Sequence, residues 1–361
     1  MDRSHQKTAL VIGPLPPAIG GIATIVGSIR DHAGGAEGLA VIDSSKPSTF
    51  IAAAAHPVML AWKLLMGSLS LNRGKVLMFS GAYRSFWEKC MWSTIVRLSG
   101  SKPIVVMVDG HFPTFYNRLP SVLKKVAAYF MSHLDILGVQ SESWKEYFSG
   151  IFPRANIRIV AGGVDTEYFS PAPAARESGA IRILYVGWMI EQKGIDDLLK
   201  AAQILHQEER DFAMRLVGPT FGRDEAMRSM IRELGLATKV KLIGAIACRA
   251  KLREEYRAAD MFAFPSHYEG FPVALLEAIS SGLPCLGTTV GGIPDILDQG
   301  RCGILVQPRS PKELAGAMRT LLENPELRKE YGQRARLRAV ENHSLHESLQ
   351  SYCRLLSIGN P

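Results

Sequence analysis

The chemistry-bearing stretch of this sequence is Pro265-Ser266-His267-Tyr268-Glu269-Gly270-Phe271-Pro272-Val273-Ala274-Leu275-Leu276-Glu277-Ala278. It reads as a strand end, a loop and a helix opening at Pro272, since proline suits the first helical turn. A helix start offers unpaired N–H groups and partial positive charge, which suit a diphosphate. Glu277 is the single formal charge between Gly270 and Pro294 and is flanked by Leu275, Leu276, Ala278 and Ile279. A carboxylate so placed is costly unless something pairs with it. Its partner is either a buried cation or backbone group, or the hydroxyls of a ligand, as carboxylates bind a ribose. Glu269, in the loop, either complements the helix dipole or faces a ligand itself.

Three other places carry chemistry. Lys193 precedes a helical segment, where a lysine is commonly solvated. Gly13-Pro14-Leu15-Pro16-Pro17-Ala18-Ile19-Gly20-Gly21 joins a strand to a helix but does not read as GxGxxG, so alone it is as compatible with a tight turn as with a ligand loop. Asp109-Gly110-His111 follows a strand at its carboxyl end, where open sheets bind ligands. A lone histidine is more often structural. No DxD motif or His/carboxylate cluster of metal-ligand character stands out, so neither a bound metal nor another cofactor is expected.

Short β-rich runs alternating with helical patterns must position these residues, the rhythm of an α/β chain with parallel, doubly wound sheets. The first-half strands are read at 9–12, 39–43, 76–79, 104–108, 136–139 and 157–160. Residues 169–179, rich in Pro, Ala, Ser and Gly, lack apolar periodicity. The rhythm restarts with strands at 181–186, 214–217, 240–243, 261–264 and 284–286. The domains are therefore expected at 1–170 and 181–341, joined by a linker at 171–180. A C-terminal helix over 342–361 has Leu345, Leu349, Tyr352 and Leu356 at helical spacing and must bury that stripe.

Length and composition agree with two cores: 361 residues, 47% hydrophobic and 21% charged. The net charge of +8 is uneven, with 17 Lys/Arg against 11 Asp/Glu in residues 1–175. No arginine/lysine run or aromatic RNA-binding signature appears, which argues against nucleic acid. The five cysteines show no paired or metal spacing and read as reduced core thiols of a cytoplasmic protein. A secretory leader is not expected, because Gly13 and Pro14 cut the first apolar run. Residues 51–71 are apolar but interrupted by His56 and Pro57, leaving too short a run to span a bilayer. The helix after Pro57, bearing Trp62 and Lys63, is either an ordinary buried Rossmann-type helix or part of a peripheral contact with an anionic membrane face.

Glu269 and Glu277 are separated by seven residues, and the surrounding series resembles successive motifs of the family-4 retaining glycosyltransferases (glycosyl transferases group 1). Those residues are Leu184-Tyr185-Val186-Gly187, Lys193-Gly194, Gly244, Tyr256, Ala259-Asp260, Pro265-Ser266, Gly282-Leu283-Pro284 and Gly291-Gly292-Ile293-Pro294. The resemblance covers roughly 180–340. It implies a GT-B fold: two Rossmann-like doubly wound lobes, an acceptor-binding first and a nucleotide-sugar-binding second, facing a central cleft, with the C-terminal helix crossing back to the first lobe. It implies that Glu277 binds the donor ribose and that Glu269 faces the transferred sugar. By the same resemblance Phe271 and Pro272 are expected at the phosphates, Val273, Gly187 and Gly244 at the donor site, and Gly20 and Gly21 in the glycine loop approaching it. Lys193 resembles the family's lysine that neutralises the leaving diphosphate, and His111 its sugar-facing active-site histidine. The expected activity is metal-independent retaining transfer from a UDP- or GDP-sugar to a glycan or a polyprenyl- or lipid-linked acceptor in polysaccharide or glycolipid biosynthesis, in the cytoplasm, either free or peripheral on the cytoplasmic face of a membrane. One position departs from the pattern: Trp188 stands where the family usually has arginine, and only arginine offers a fixed fork of charged donors. That departure leaves a non-catalytic GT-B subunit as the alternative, with a sugar-nucleotide epimerase behind it.

Overall fold

The computed structural model describes residues 9–15, 21–33, 38–45, 50–71, 74–160, 162–172 and 179–358. The chain divides into two compact units: unit 1 is Met1–Gly162 with His346–Pro361, and unit 2 is Gly163–Leu345.

In unit 1 the order is β1 (Ala9–Gly13), α1 (Gly21–Ala33), β2 (Leu39–Asp43), α2 (Phe50–Ser70), β3 (Lys75–Ser80), α3 (Arg84–Leu98), β4 (Lys102–Met107), α4 (Phe112–Asn117), α5 (Ser121–Ser132), β5 (Ile136–Val139), α6 (Glu142–Ile151) and β6 (Ile157–Ile159). The six strands form one parallel sheet in the order β2-β1-β3-β4-β5-β6. Strands buried on both faces read as near-continuous apolar runs, as Ala9–Gly13 and Lys75–Ser80 do. The order reverses between β1 and β3, so the loops leaving those two strands diverge and open a crevice.

In unit 2 the order is β7 (Ile181–Val186), a 3₁₀ turn (Glu191–Lys193), α7 (Ile195–Gln207), β8 (Phe212–Val217), α8 (Asp224–Glu233), β9 (Val240–Gly244), α9 (Arg249–Ala258) and β10 (Met261–Phe264). Then come α10 (Val273–Ser280), β11 (Cys285–Thr288), α11 (Ile293–Ile296), β12 (Gly303–Val306), α12 (Pro311–Glu323) and α13 (Pro325–Asn342). Its parallel sheet runs β12-β11-β10-β7-β8-β9, reversing between β7 and β10. One apolar cluster lies beneath α7 and α12, around Leu198, Leu216 and Met318. A second, around Phe262, Leu276 and Ile279, fills the side covered by α10 and α13.

The last helix, α14 (Leu345–Leu356), belongs to unit 1 from His346 onward. Its Leu349, Tyr352 and Leu356 are buried, the Tyr352 ring lies 6.1 Å from Phe79, and Lys75 Nζ donates to the Leu355 carbonyl at 2.7 Å. The apolar stripe thus closes on the first sheet at its interior strand β3.

Several boundaries differ from the sequence expectation. The units divide at Gly162/Gly163 rather than within 171–180, because Val164 pairs with Ser344 and Phe169 sits in the second unit's core. Helix α2 starts at Phe50 and runs through Pro57. No helix among the described residues is long and apolar enough to cross a membrane. Strand β12 adds a sixth strand to the second sheet, beyond the five expected from the sequence. Of the five cysteines, Cys90, Cys285, Cys302 and Cys353 are buried, but Cys248 is exposed at the start of α9.

Candidate functional site

The reversal between β7 and β10 gathers residues far apart in sequence. Because the two strands are neighbours, with Met261 opposite Ile183, the loops at their carboxyl ends meet. Gly194 lets the first loop press down: its φ is +69°, and a Cβ there would fall 1.9 Å from the Pro265 carbonyl oxygen. The His267 N–H donates to the Gln192 carbonyl at 2.9 Å, and His267 Nε2 lies 2.7 Å from Asp197 Oδ2 on α7. Held so, Lys193 Nζ donates to Glu269 Oε1 at 2.6 Å, with the two side chains 24% and 8% exposed. The carboxylate is thereby paired, and the ammonium keeps an outlet to solvent. Removing one partner would strand the other's charge, which costs far more than the intact pair contributes.

Beyond Glu269 the chain enters α10. Pro272 has φ −73° and ψ 118°, so it is the residue before the helix, which begins one position later than expected at Val273. No side chain caps this helix start, which leaves its first backbone donors for another acceptor. Phe271 is buried and anchors the turn. On the far side Gly291 closes in, at φ +54°, where a Cβ would lie 1.8 Å from the Glu269 carbonyl oxygen.

Glu277 lies one turn into α10. Among the described residues its hydrogen-bond partner is the Tyr256 hydroxyl, which donates to Oε2 at 2.9 Å and stands 3.1 Å from the Ala274 carbonyl. Burial raises the carboxyl's pKa to about 7, against the opposing pull of the Tyr256 hydrogen bond and the Arg249 charge. One donor leaves most of a carboxylate's acceptor capacity unused. The cost inferred from its apolar neighbours is therefore real, and the protein only partly offsets it.

Gly187 follows β7, its N–H donating to the Val217 carbonyl at 2.9 Å, and Gly244 closes β9. Trp188 is 43% exposed, and its ring meets that of Phe221 edge-on at 5.3 Å. Beside them Arg223 donates to the Met189 carbonyl at 3.2 Å and lies 3.8 Å from Asp196. Arg223 is a cation at the carboxyl ends of β7 and β8 that motif reading passes over, because it comes from a different loop from Trp188.

In unit 1, His111 precedes α4 just beyond β4. Its Nδ1 donates to Asp109 Oδ1 at 2.9 Å, its backbone N–H to the same oxygen at 2.8 Å, and Ala82 N–H to Oδ2 at 3.0 Å. Burial would raise the Asp109 pKa, but these hydrogen bonds outweigh it and hold the carboxyl below its ordinary value. An ionised Asp109 holds the imidazole through Nδ1. Gly21 opens α1, whereas Gly20 lies outside the described residues. Among the described residues no group of three or more His, Cys, Asp or Glu side chains could hold a metal ion.

Residues 169–338 match the family model described as glycosyl transferases group 1. The chain is similar to the D-inositol 3-phosphate glycosyltransferase of Kineococcus radiotolerans, 34% identical over 51% of this chain and 48% of that protein. It is also similar to the GDP-mannose-dependent alpha-(1-6)-phosphatidylinositol monomannoside mannosyltransferase of Mycobacterium tuberculosis, 27% identical over 63% of this chain and 62% of the relative. The chain thus spans about half the length of the first of these relatives. Among solved structures, sucrose-phosphate synthase from Thermosynechococcus elongatus superposes with a TM-score of 0.80 at 18% identity, over 97% of this chain and 98% of that one. HepE of Anabaena in complex with UDP-glucose superposes with 0.75 at 17% identity, over 97% and 99%. The fold is GT-B.

Proposed function

We propose that this chain, whose residues 169–338 are a glycosyl transferases group 1 domain, transfers a sugar from a UDP- or GDP-sugar to a glycan or a polyprenyl- or lipid-linked acceptor, with retention of configuration and without a bound metal. The observation that carries the reading is the Lys193–Glu269 pair at the β7/β10 reversal, next to an uncapped helix start and an under-satisfied Glu277. Relatives named for GDP-mannose and inositol-phosphate chemistry, and the neighbour solved with UDP-glucose, support the substrate class.

In this reading an incoming donor divides the ion pair. The diphosphate takes Lys193 and the first N–H groups of α10, the sugar hydroxyls take Glu269, and the ribose hydroxyls donate to Glu277. Arg223 supplies the second cation that Trp188 cannot. The bond from the anomeric carbon to the phosphate oxygen breaks while the bond to the acceptor oxygen forms on the same face. The acceptor proton passes to the departing phosphate oxygen, so no protein nucleophile is needed. Fixed positive charge then stabilises the developing diphosphate charge, the term on which such catalysis rests. His111, oriented by Asp109, serves as a hydrogen-bonding group toward the sugars.

A donor panel read by thermal unfolding tests this. A bound UDP- or GDP-sugar at about a hundred times its Kd should stabilise the protein by roughly 3 kcal/mol. No shift with any nucleotide or nucleotide-sugar would sink the proposal. Trp188 supports a second reading, a non-catalytic subunit that keeps the fold. A measured shift without released nucleotide or transferred sugar, across an acceptor panel, would favour it.

A further inference from the structure

The outer face of unit 1 does not look like the surface of a protein that is surrounded only by water. Strand order and the right-handed rule for parallel crossovers place α2, α3 and α5 on one side of the first sheet, with α2 packed on α3 and α3 on α5. Each helix buries one side in the core, through Leu60 and Leu64, Phe86 and Val96, and Ala127 and Met131. Each then presents a second apolar row outward. Trp62 is 62% exposed and Leu98 84%; on α5, Val122, Val126 and Tyr129 recur at helical spacing, with Val122 70% exposed. Between α2 and α3 lies an open groove of about 410 Å³, lined by Trp62, Leu65, Leu69, Ile95 and Leu98 among others. Contiguous exposed apolar surface of this kind marks an interaction site.

Charge identifies the occupant. The three helices carry Lys63, Arg84, Lys89, Arg97, Lys124 and Lys125 against one acid, Glu88, which Lys89 already engages at 3.2 Å. The three helices thus hold an excess of five positive charges. A second protein would need a matching acidic and apolar surface. A bilayer rich in anionic lipid offers both together, an apolar interior beneath a negative plane. Trp62 and Tyr129, with apolar rings and polar tips, suit the boundary between the two. Lysine and arginine can lay their alkyl stems along apolar surface and hold their charges at the headgroups.

We propose that the outer face of α2, α3 and α5 seats on an anionic lipid bilayer, its apolar rows entering the interfacial zone and its basic residues meeting the headgroups. The consequence is that unit 1 works at the membrane surface, where a lipid-linked acceptor resides. The inference deepens the transfer reading's acceptor side but is measured without donor or acceptor, so either can fail alone.

Full-length protein is sedimented with vesicles of phosphatidylcholine alone and of phosphatidylcholine mixed with phosphatidylglycerol. Binding is expected to the mixed vesicles only, weakening as salt rises. Lys124→Glu with Lys125→Glu should weaken partitioning by about tenfold or more, since each basic residue near such a surface is worth about 1 kcal/mol. Trp62→Ser with Leu98→Ser should weaken it comparably. All four positions lie on the outer helices, and an unchanged unfolding midpoint confirms that the variants are folded. Equal partitioning to both vesicle types, no binding to either, or variants that bind as the wild type does would overturn the proposal. So would a concentration-dependent dimer abolished by Trp62→Ser and Leu98→Ser without vesicle binding, which would make the face a self-interface.

Discussion

The two units solve the same topological problem with different chemistry. Each has a parallel sheet whose strand order reverses once, between β1 and β3 in unit 1 and between β7 and β10 in unit 2. At the second reversal the loops are pinned by backbone contacts too close for any side chain but glycine's, and they bring a cation, two carboxylates and a helix start together. Unit 1 offers at the end of β4 a single oriented pair, Asp109 and His111, and spends its unusual surface on the outer helices instead. Under the proposed function the difference is a division of labour: unit 2 holds the charged ligand on its glycine-pinned loops, and unit 1 supplies orientation and location. The family match follows the same line, covering 169–338 and thus falling almost wholly within unit 2.

The largest expected effect tests that division where charge is concentrated. Lys193→Ala should lower turnover by about 10²- to 10³-fold, the usual loss when one stabiliser of transition-state charge is removed. Arg223→Ala should cost about tenfold, as the loss of one charge-assisted hydrogen bond would. Initial rates with a saturating donor measure both. If Arg223→Ala proved the costlier, the second cation rather than the ion pair would carry the diphosphate.

Glu277 gives the next effect, and it has two signs. Glu277→Gln should weaken nucleotide binding by roughly 10- to 100-fold, because ribose hydroxyls lose a charged acceptor. The same change should stabilise the empty protein at higher pH. The folded carboxyl titrates near 7, above the ordinary 4.5, so its contribution is intact below the ordinary value and is lost as pH rises through about 7. The glutamine variant should therefore match the wild type at low pH and exceed it above neutrality by at most about 3 kcal/mol in denaturant unfolding. Equal stability of the two proteins at all pH values would mean that the carboxylate is not strained by burial.

The two sheets and the isolation of Glu277 are legible in the sequence. Glu277 announced itself as a lone charge in an apolar helix, and the alternation of strands and helices announced the two sheets. What stayed hidden depended on contacts across the topology. Lys193 and Glu269 are separated by 75 intervening residues, and only the adjacency of β7 and β10 makes them partners. Tyr256 could be quoted as part of a motif series, but nothing in its spacing said that its hydroxyl reaches Glu277. Arg223 was invisible for the same reason, since β8 had to be placed beside β7 first. The exposed row on α5 is not legible in the sequence, because an amphipathic pattern fixes which residues share a face and is silent about which face is buried.

The most direct test sets the two units against each other in one experiment. The full-length protein, Glu277→Gln and His111→Ala are titrated calorimetrically with the preferred nucleotide-sugar at about pH 6 and about pH 8, either side of the Glu277 midpoint. The account predicts that wild-type affinity tightens by roughly tenfold as Glu277 ionises, that Glu277→Gln binds weakly with no such pH dependence, and that His111→Ala binds the nucleotide as the wild type does while losing turnover. Wild-type-like, pH-dependent binding by Glu277→Gln, or loss of nucleotide binding in His111→Ala alone, would contradict it.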